Sequence, residues 1–197
     1  MIGRGLRASL VAALVAPALV VLPSAPAQAV TGSDWNAGYI ISDQAFFNGW
    51  AMSADAFHVV APNPVTVTRC MADAIRHAGI APEAIASVSA HAASTKVGDQ
   101  VEADALKAVF GDKIPPLSAN KSLMGHAMGA TSAIESILAL EGMRRGVLLP
   151  TINHHPDPAI PLDCCAEGAR RLDQEYVLKN AFGFGGCNAC LVFRRIN

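Results

Sequence analysis

Residues 85–111 read IASVSAHAASTKVGDQVEADALKAVFG, and the fold turns on how they divide. Ile85 to Ala90 is a short apolar run of strand length, which predicts a buried strand delivering His91 at its C-terminal end. Asp99 with Glu102 beyond it has the spacing of a capping box, so a helix is expected to begin there. Val101, Ala105, Ala108 and Val109 share one side of that helix, and Gly111 ends it. A strand running through a small-residue loop into a helix is an α/β unit. Taken alone, His91 is open to two readings: a catalytic N–H donor, or a polar residue that closes a strand.

The alternation continues on both sides. Val67, Met71, Ala74, Ile75 and Ala78 recur at helical spacing from about Val65 to His77, with Gly79 as the stop. A strand near Leu117 leads to Lys121. Residues 127–145, AMGATSAIESILALEGMRR, predict a third long helix with Ala130, Ile134, Ile137 and Leu138 on its buried side. Its first turns are crowded with Gly, Ala and Ser, which predicts a close neighbour, and Arg144 and Arg145 suit the negative end of its dipole. GVLLPTIN (146–153) reads as a strand. EYVLKN (175–180), a glycine loop and NACLVFRR (188–195) read as a strand-turn-strand hairpin. Alternating helices and strands with short connections predict an α/β layered domain. Regular patterning begins at Gly49, so the domain is placed at 49–197, with 30–48 an uncertain linker.

The chain has 197 residues, of which 52% are hydrophobic and 16% charged, with a formal net charge of -1. No basic stripe or basic-aromatic alternation is present, so no nucleic-acid partner is expected. Cys70, Cys164, Cys165, Cys187 and Cys190 are odd in number and irregularly spaced, which argues against a disulfide framework. The lone C-x-x-C at Cys187 and Cys190 lacks a second pair, so no metal is expected, and the thiols are read as reduced and mostly buried. At the N-terminus, Arg4 and Arg7 precede an apolar run from Ala8 to Leu22, and Ala27-Gln28-Ala29 fits a cleavage site. The run is too short and too proline-interrupted for a membrane span. Residues 1–29 are therefore read as signal-like, or as an artefact of a high-GC coding region read out of register.

Three polar clusters fall at element boundaries, where α/β proteins place their sites. His91 lies with Ser94 and Thr95. Lys121 and His126 lie in KSLMGH (121–126). NAFGFGGCN (180–188) carries Gly183, Gly185 and Gly186, which let a backbone approach a ligand. No phosphate-loop pattern follows a strand and opens a helix. In this order, and with GWAMSADAFHVVAP (49–62), SANKSLMGHAMGATSAIES (118–136) and PTINHHPDP (150–158), the chain resembles the C-terminal half of the β-ketoacyl-acyl-carrier-protein synthases, the condensing enzymes of fatty acid and polyketide synthesis. The resemblance runs from about Gly49 to Ile196.

That resemblance implies the C-terminal half of a thiolase-like α-β-α-β-α layered fold, a mixed sheet flanked by helices. It implies His91 and His126 as the two histidines of a Cys-His-His triad, Lys121 as the active-site lysine and Glu135 as the glutamate holding it. It further implies Phe184 as a gate whose backbone N–H is an oxyanion donor, and Thr95, Phe182, Gly183 and Gly185 as substrate-binding residues. The implied reaction is a decarboxylative Claisen condensation of acyl and malonyl thioesters. Substrates would arrive on the phosphopantetheine arm of acyl carrier protein, with no other cofactor, in a cytoplasmic homodimer or a heterodimer with a synthase subunit. Two neutral imidazoles donating N–H bonds to the thioester oxygen would stabilise its developing charge in a dry site.

The sequence departs from the family in three places. None of the five cysteines stands where the family has its nucleophile, at the N-terminus of a buried helix in the N-terminal half. Ala92 and Ala93 replace Gly-Thr after the histidine, which removes one hydroxyl contact to the carrier arm and strains the backbone if position 92 needs positive φ. The signal-like segment stands where the nucleophile region is expected. A non-catalytic, chain-length-factor-like partner of an active synthase is the alternative, and an exported protein of unrelated function a further one. A half-fold is also expected to expose apolar surface that packs elsewhere in the family.

Overall fold

A computed structural model describes residues 39–42 and 45–196, and the segment at 1–29 lies outside the described residues. Strands β1 (Tyr39–Ser42) and β2 (Ala45–Ala54) pair antiparallel. Part of the stretch expected as a linker is therefore strand. Its pattern is hidden by a register shift between Phe47 and Gly49. Gly49 backs onto the end of the next helix, where a Cβ would lie 2.5 Å from the Ala78 nitrogen, and Asn48 Nδ2 donates to the Ala78 carbonyl at 2.9 Å.

Helix α1 (Pro64–His77) starts with proline in its first turn, where the missing N–H costs nothing, and Asn63 Oδ1 accepts from the Val65 N–H. Val67, Cys70, Met71, Ala74 and Ile75 are its buried side, and Gly79 follows at φ 69°. Strand β3 (Ile85–Ser89) then leads to helix α2 (Lys96–Phe110). The capping residue of α2 is Thr95 rather than Asp99. Thr95 Oγ1 accepts from the Gly98 N–H at 3.1 Å, and Asp99 Oδ1 accepts the Thr95 N–H at 3.3 Å. The reciprocal cap thus begins four residues earlier than expected, which frees Glu102 for another use. Val101, Ala105 and Leu106 are buried, whereas Ala108 is exposed.

Strand β4 (Leu117–Ser118) is followed by the single-turn helix α3 (Lys121–Met124) and by helix α4 (Thr131–Arg145). The expected strand at 146–153 is shorter, with β5 (Val147–Leu148) pairing antiparallel to β6 (Arg170–Arg171). Strands β7 (Tyr176–Gly183) and β8 (Cys187–Arg195) form the expected antiparallel hairpin, from Tyr176 opposite Arg194 to Gly183 opposite Cys187.

The main sheet has the order β1-β2-β8-β7-β3-β4. Strand β3 pairs parallel with β4 and β7 while the remaining pairs are antiparallel, so the sheet is mixed. The two-residue period of β7 and β8 divides the core. Leu178, Phe182, Cys190 and Val192 join the cluster under α1 and α2. Val177 and Phe193 join Met143 of α4 in a second cluster. Helix α4 does not bury its expected side. Thr131, Glu135, Gly142 and Met143 are buried, while Ala130 is exposed, Ile134 is 39% exposed, Ile137 52% exposed and Leu138 half-buried. Gly129 has open space where a Cβ would be, so the close neighbour expected at the small-residue turns is not met at that residue.

Candidate active site

The three parallel strands point their carboxyl ends the same way, and each delivers part of one site. After β3 comes His91, after β4 Lys121, and at the end of β7 Phe182 and the glycine loop. His126 follows α3. The His91 and His126 rings face edge to face-plane with centroids 6.0 Å apart at 83°. Phe182 is buried and its ring lies 5.5 Å from that of His91.

The peptide of His91 is held on both sides. Glu102 accepts the His91 N–H at 2.9 Å and the Ala92 N–H at 2.8 Å. Lys121 donates to the His91 carbonyl. Lys121 also pairs with Glu135 at 2.9 Å, and both side chains are almost wholly buried. A buried carboxylate and ammonium at that distance compensate each other's loss of water. Ala92 has φ 36° and Ser94 φ 61°, so Ala92 occupies a left-handed conformation that glycine would adopt without strain.

Burial first, and then the positive charges of Lys121 and Lys179 and the neighbouring His126, hold the His91 imidazole down at about 3. It is therefore neutral at physiological pH and keeps one N–H to donate. His126 is fixed differently. Its Nδ1 accepts the Met128 N–H at 3.0 Å and lies 3.0 Å from Thr131 Oγ1. An Nδ1 that accepts leaves the hydrogen of the neutral ring on Nε2.

The glycine loop is anchored from behind. The Gly185 N–H donates to the Val59 carbonyl at 2.9 Å, and Asn188 Nδ2 donates to the Gly186 carbonyl at 3.2 Å. A Cβ on Gly186 would fall 1.9 Å from Asp55 Oδ1, so the close approach requires glycine. Gly183 and Gly185 are exposed, Gly185 at φ 72°, and the Phe184 side chain between them is 64% exposed at the tip. Thr95 is exposed, at the start of α2, with its Oγ1 engaged in the cap. The site thus brings together His91, His126, Lys121, Glu135 and Phe182, while Thr95, Gly183, Phe184 and Gly185 are exposed.

A cavity of about 580 Å³ adjoins this cluster, with Lys121, His126, Asp99 and Cys164 on its wall. Burial, reinforced by Asp163, Asp99 and Glu102, pushes the Cys164 thiol up to about 11, so it stays protonated. Cys70, Cys165 and Cys190 are buried and Cys187 is exposed. Among the described residues, no group of His, Cys, Asp or Glu is arranged to hold a metal ion, and no helix is long and apolar enough to cross a membrane.

Sequence reasoning missed Glu102, Lys179 and Asn180. Lys179 Nζ lies 2.7 Å from Glu135 Oε2, and Asn180 Nδ2 donates to Glu102 Oε1 at 3.0 Å. The available signal was a lysine and an asparagine inside an otherwise apolar strand, where neither is placed without a buried partner.

A family model described as Beta-ketoacyl synthase, C-terminal domain, matches residues 44–155. The 3-oxoacyl-(acyl-carrier-protein) synthase 2 of Coxiella burnetii is 40% identical over 153 residues, 75% of this chain and 37% of that protein. Among solved structures, the ishigamide ketosynthase/chain length factor superposes with a TM-score of 0.75 at 38% identity, covering 78% of this chain and 38% of the other. A type II polyketide acyl-carrier protein in complex with its ketosynthase bound to the hexaketide gives a TM-score of 0.74 at 31% identity, covering 77% and 38%. The chain therefore spans little more than a third of the length of the relatives it matches. By the matched domain, the identity and the shared layered fold, the chain belongs to the β-ketoacyl synthase family, with the C-terminal half of its thiolase-like fold.

Proposed function

We propose that this chain supplies the enolate-stabilising half of a β-ketoacyl synthase site acting on malonyl and acyl thioesters. The observation that carries the reading is the His91–His126 pair, with rings 6.0 Å apart and His91 kept neutral beside a buried Lys121–Glu135 pair. When the malonyl group loses carbon dioxide, the electron pair of the broken C–C bond passes into the thioester and puts negative charge on its oxygen. The two imidazole N–H groups hold that charge. The enolate carbon then attacks an acyl thioester, forming the new C–C bond and releasing the acyl-carrying thiolate. Four of the five cysteines are unsuited to accept the acyl group in this reading: Cys164 is held protonated, and Cys70, Cys165 and Cys190 are buried.

Acyl carrier protein is the proposed partner that presents the malonyl group, as the solved ketosynthase complex with its acyl-carrier protein suggests by analogy. A synthase subunit is the proposed second partner, in a homodimer or heterodimer in the cytoplasm. The ketosynthase/chain length factor likeness favours a second reading, in which this chain is a non-catalytic partner. Release of labelled carbon dioxide from malonyl-loaded acyl carrier protein separates the two. In the first reading the chain accelerates release, and His126→Ala lowers it by about 10²–10³-fold. Release at the buffer rate, or release indifferent to His126→Ala, overturns that reading.

A further inference from the structure

Strand β7 sends two successive polar side chains to opposite faces of the sheet, Lys179 toward α4 and Asn180 toward α2. Both are buried. Lys179 Nζ lies 2.7 Å from Glu135 Oε2 and donates to the Asn180 carbonyl. Asn180 Nδ2 reaches Glu102, and Glu102 accepts the His91 N–H. From the other direction Glu135 pairs with Lys121, and Lys121 donates to the His91 carbonyl. These groups form a ring that begins and ends at the main chain of one residue, His91.

We propose that Lys179 is a positioning residue for His91: it closes this ring through the sheet and fixes the peptide that carries the imidazole. Lys121 alone already balances the charge of Glu135. A second buried ammonium on the same carboxylate is costly to desolvate and is not needed for neutrality. Its distinctive contribution is the link from the α4 carboxylate, across β7, to the α2 carboxylate. Its charge also bears on His91. The groups facing that histidine are the cations Lys121 and Lys179, the second histidine His126, and the carboxylates Glu102 and Glu135, with Asp99 on the wall of the adjoining cavity.

The catalytic meaning of this inference rests on the reading of His91 as an enolate donor, but its physical content is measured without turnover. In the full chain, Lys179→Met removes the charge and keeps the stem. The melting temperature is expected to hold or rise. The His91 imidazole resonances, identified by their loss in His91→Gln, are expected to shift. The pH at which the His91 ring begins to charge is expected to move up by about one pH unit, because one cation has left its surroundings. Lys179→Arg, which keeps the charge, should return that pH toward the wild-type value. Unchanged His91 resonances and titration in Lys179→Met overturn the inference. A lower melting temperature with nothing altered at His91 also overturns it, since that marks a lysine with a purely structural role. If Lys179→Met does not fold, Lys179→Gln retains a donor toward Glu135 without the charge, and the same His91 readouts decide. Failure of the carbon dioxide assay leaves these spectra unaffected, so the two readings fail separately.

Discussion

Helices α1 and α4 cover opposite faces of one sheet and are built to opposite rules. Every buried residue of α1 is apolar or a thiol: Val67, Cys70, Met71, Ala74 and Ile75. The buried residues of α4 are Thr131, Glu135, Gly142 and Met143, while Ile134 and Ile137 stand out in solvent. The first helix is held by area removed from water. The second has one buried apolar anchor, Met143 against Val177 and Phe193, and is otherwise held by particular atoms: Glu135 by two lysines, Thr131 beside His126, and Gly142 by an approach that would leave a Cβ 2.7 Å from the Val147 carbonyl oxygen. Packing gives one face its stability. Chemistry organises the other and leaves an apolar stripe uncovered among the described residues.

The contrast can be broken experimentally. Glu135→Ala strands two buried ammonium groups and should cost about 3–5 kcal/mol in urea denaturation. A loss below about 1 kcal/mol would mean that α4 is not held by its charges. Met71→Ala, at a site with no exposure, should cost about 2–5 kcal/mol through lost packing and a residual cavity. Ala92→Gly, at φ 36°, relieves left-handed strain and should raise stability by about 0.5–1 kcal/mol, read as a higher urea midpoint. A fall in that midpoint would mean that the loop carries no strain at this residue. Ile137→Ala should stay within about 0.5 kcal/mol. If it costs as much as Met71→Ala, the stripe on α4 is covered in solution and the two faces are alike after all.

The sequence was most informative where the cause of structure is local. The spacing of Val67, Met71, Ala74 and Ile75 specifies both α1 and its buried side, because a single apolar face meets a single sheet. The strand before His91 and the hairpin around the glycine loop were legible for the same reason. Helix α4 was legible as a helix but not in its orientation. Periodicity marks the face that can be buried, and here the buried face is chosen by Lys121 and Lys179, which reach Glu135 from other elements. The histidines and Lys121 could be picked out as polar residues at element boundaries. Their supports could not, since Glu102 and Asn180 are 78 residues apart and no local pattern joins them. The displaced cap of α2 is a related case. Two acceptable caps competed, and Thr95 took the helix end while Glu102 went to the His91 peptide.

The double grip on that peptide has a consequence for how the site can change. Glu102 and Lys121 hold main-chain atoms of residue 91, so the loop keeps its course whichever side chain residue 91 carries. Position 91 is in effect a socket. A library of substitutions there should yield folded proteins that present different groups beside His126, which makes it a practical point of entry for redesign. Drift in natural lineages could empty such a site of its chemistry while its architecture endures.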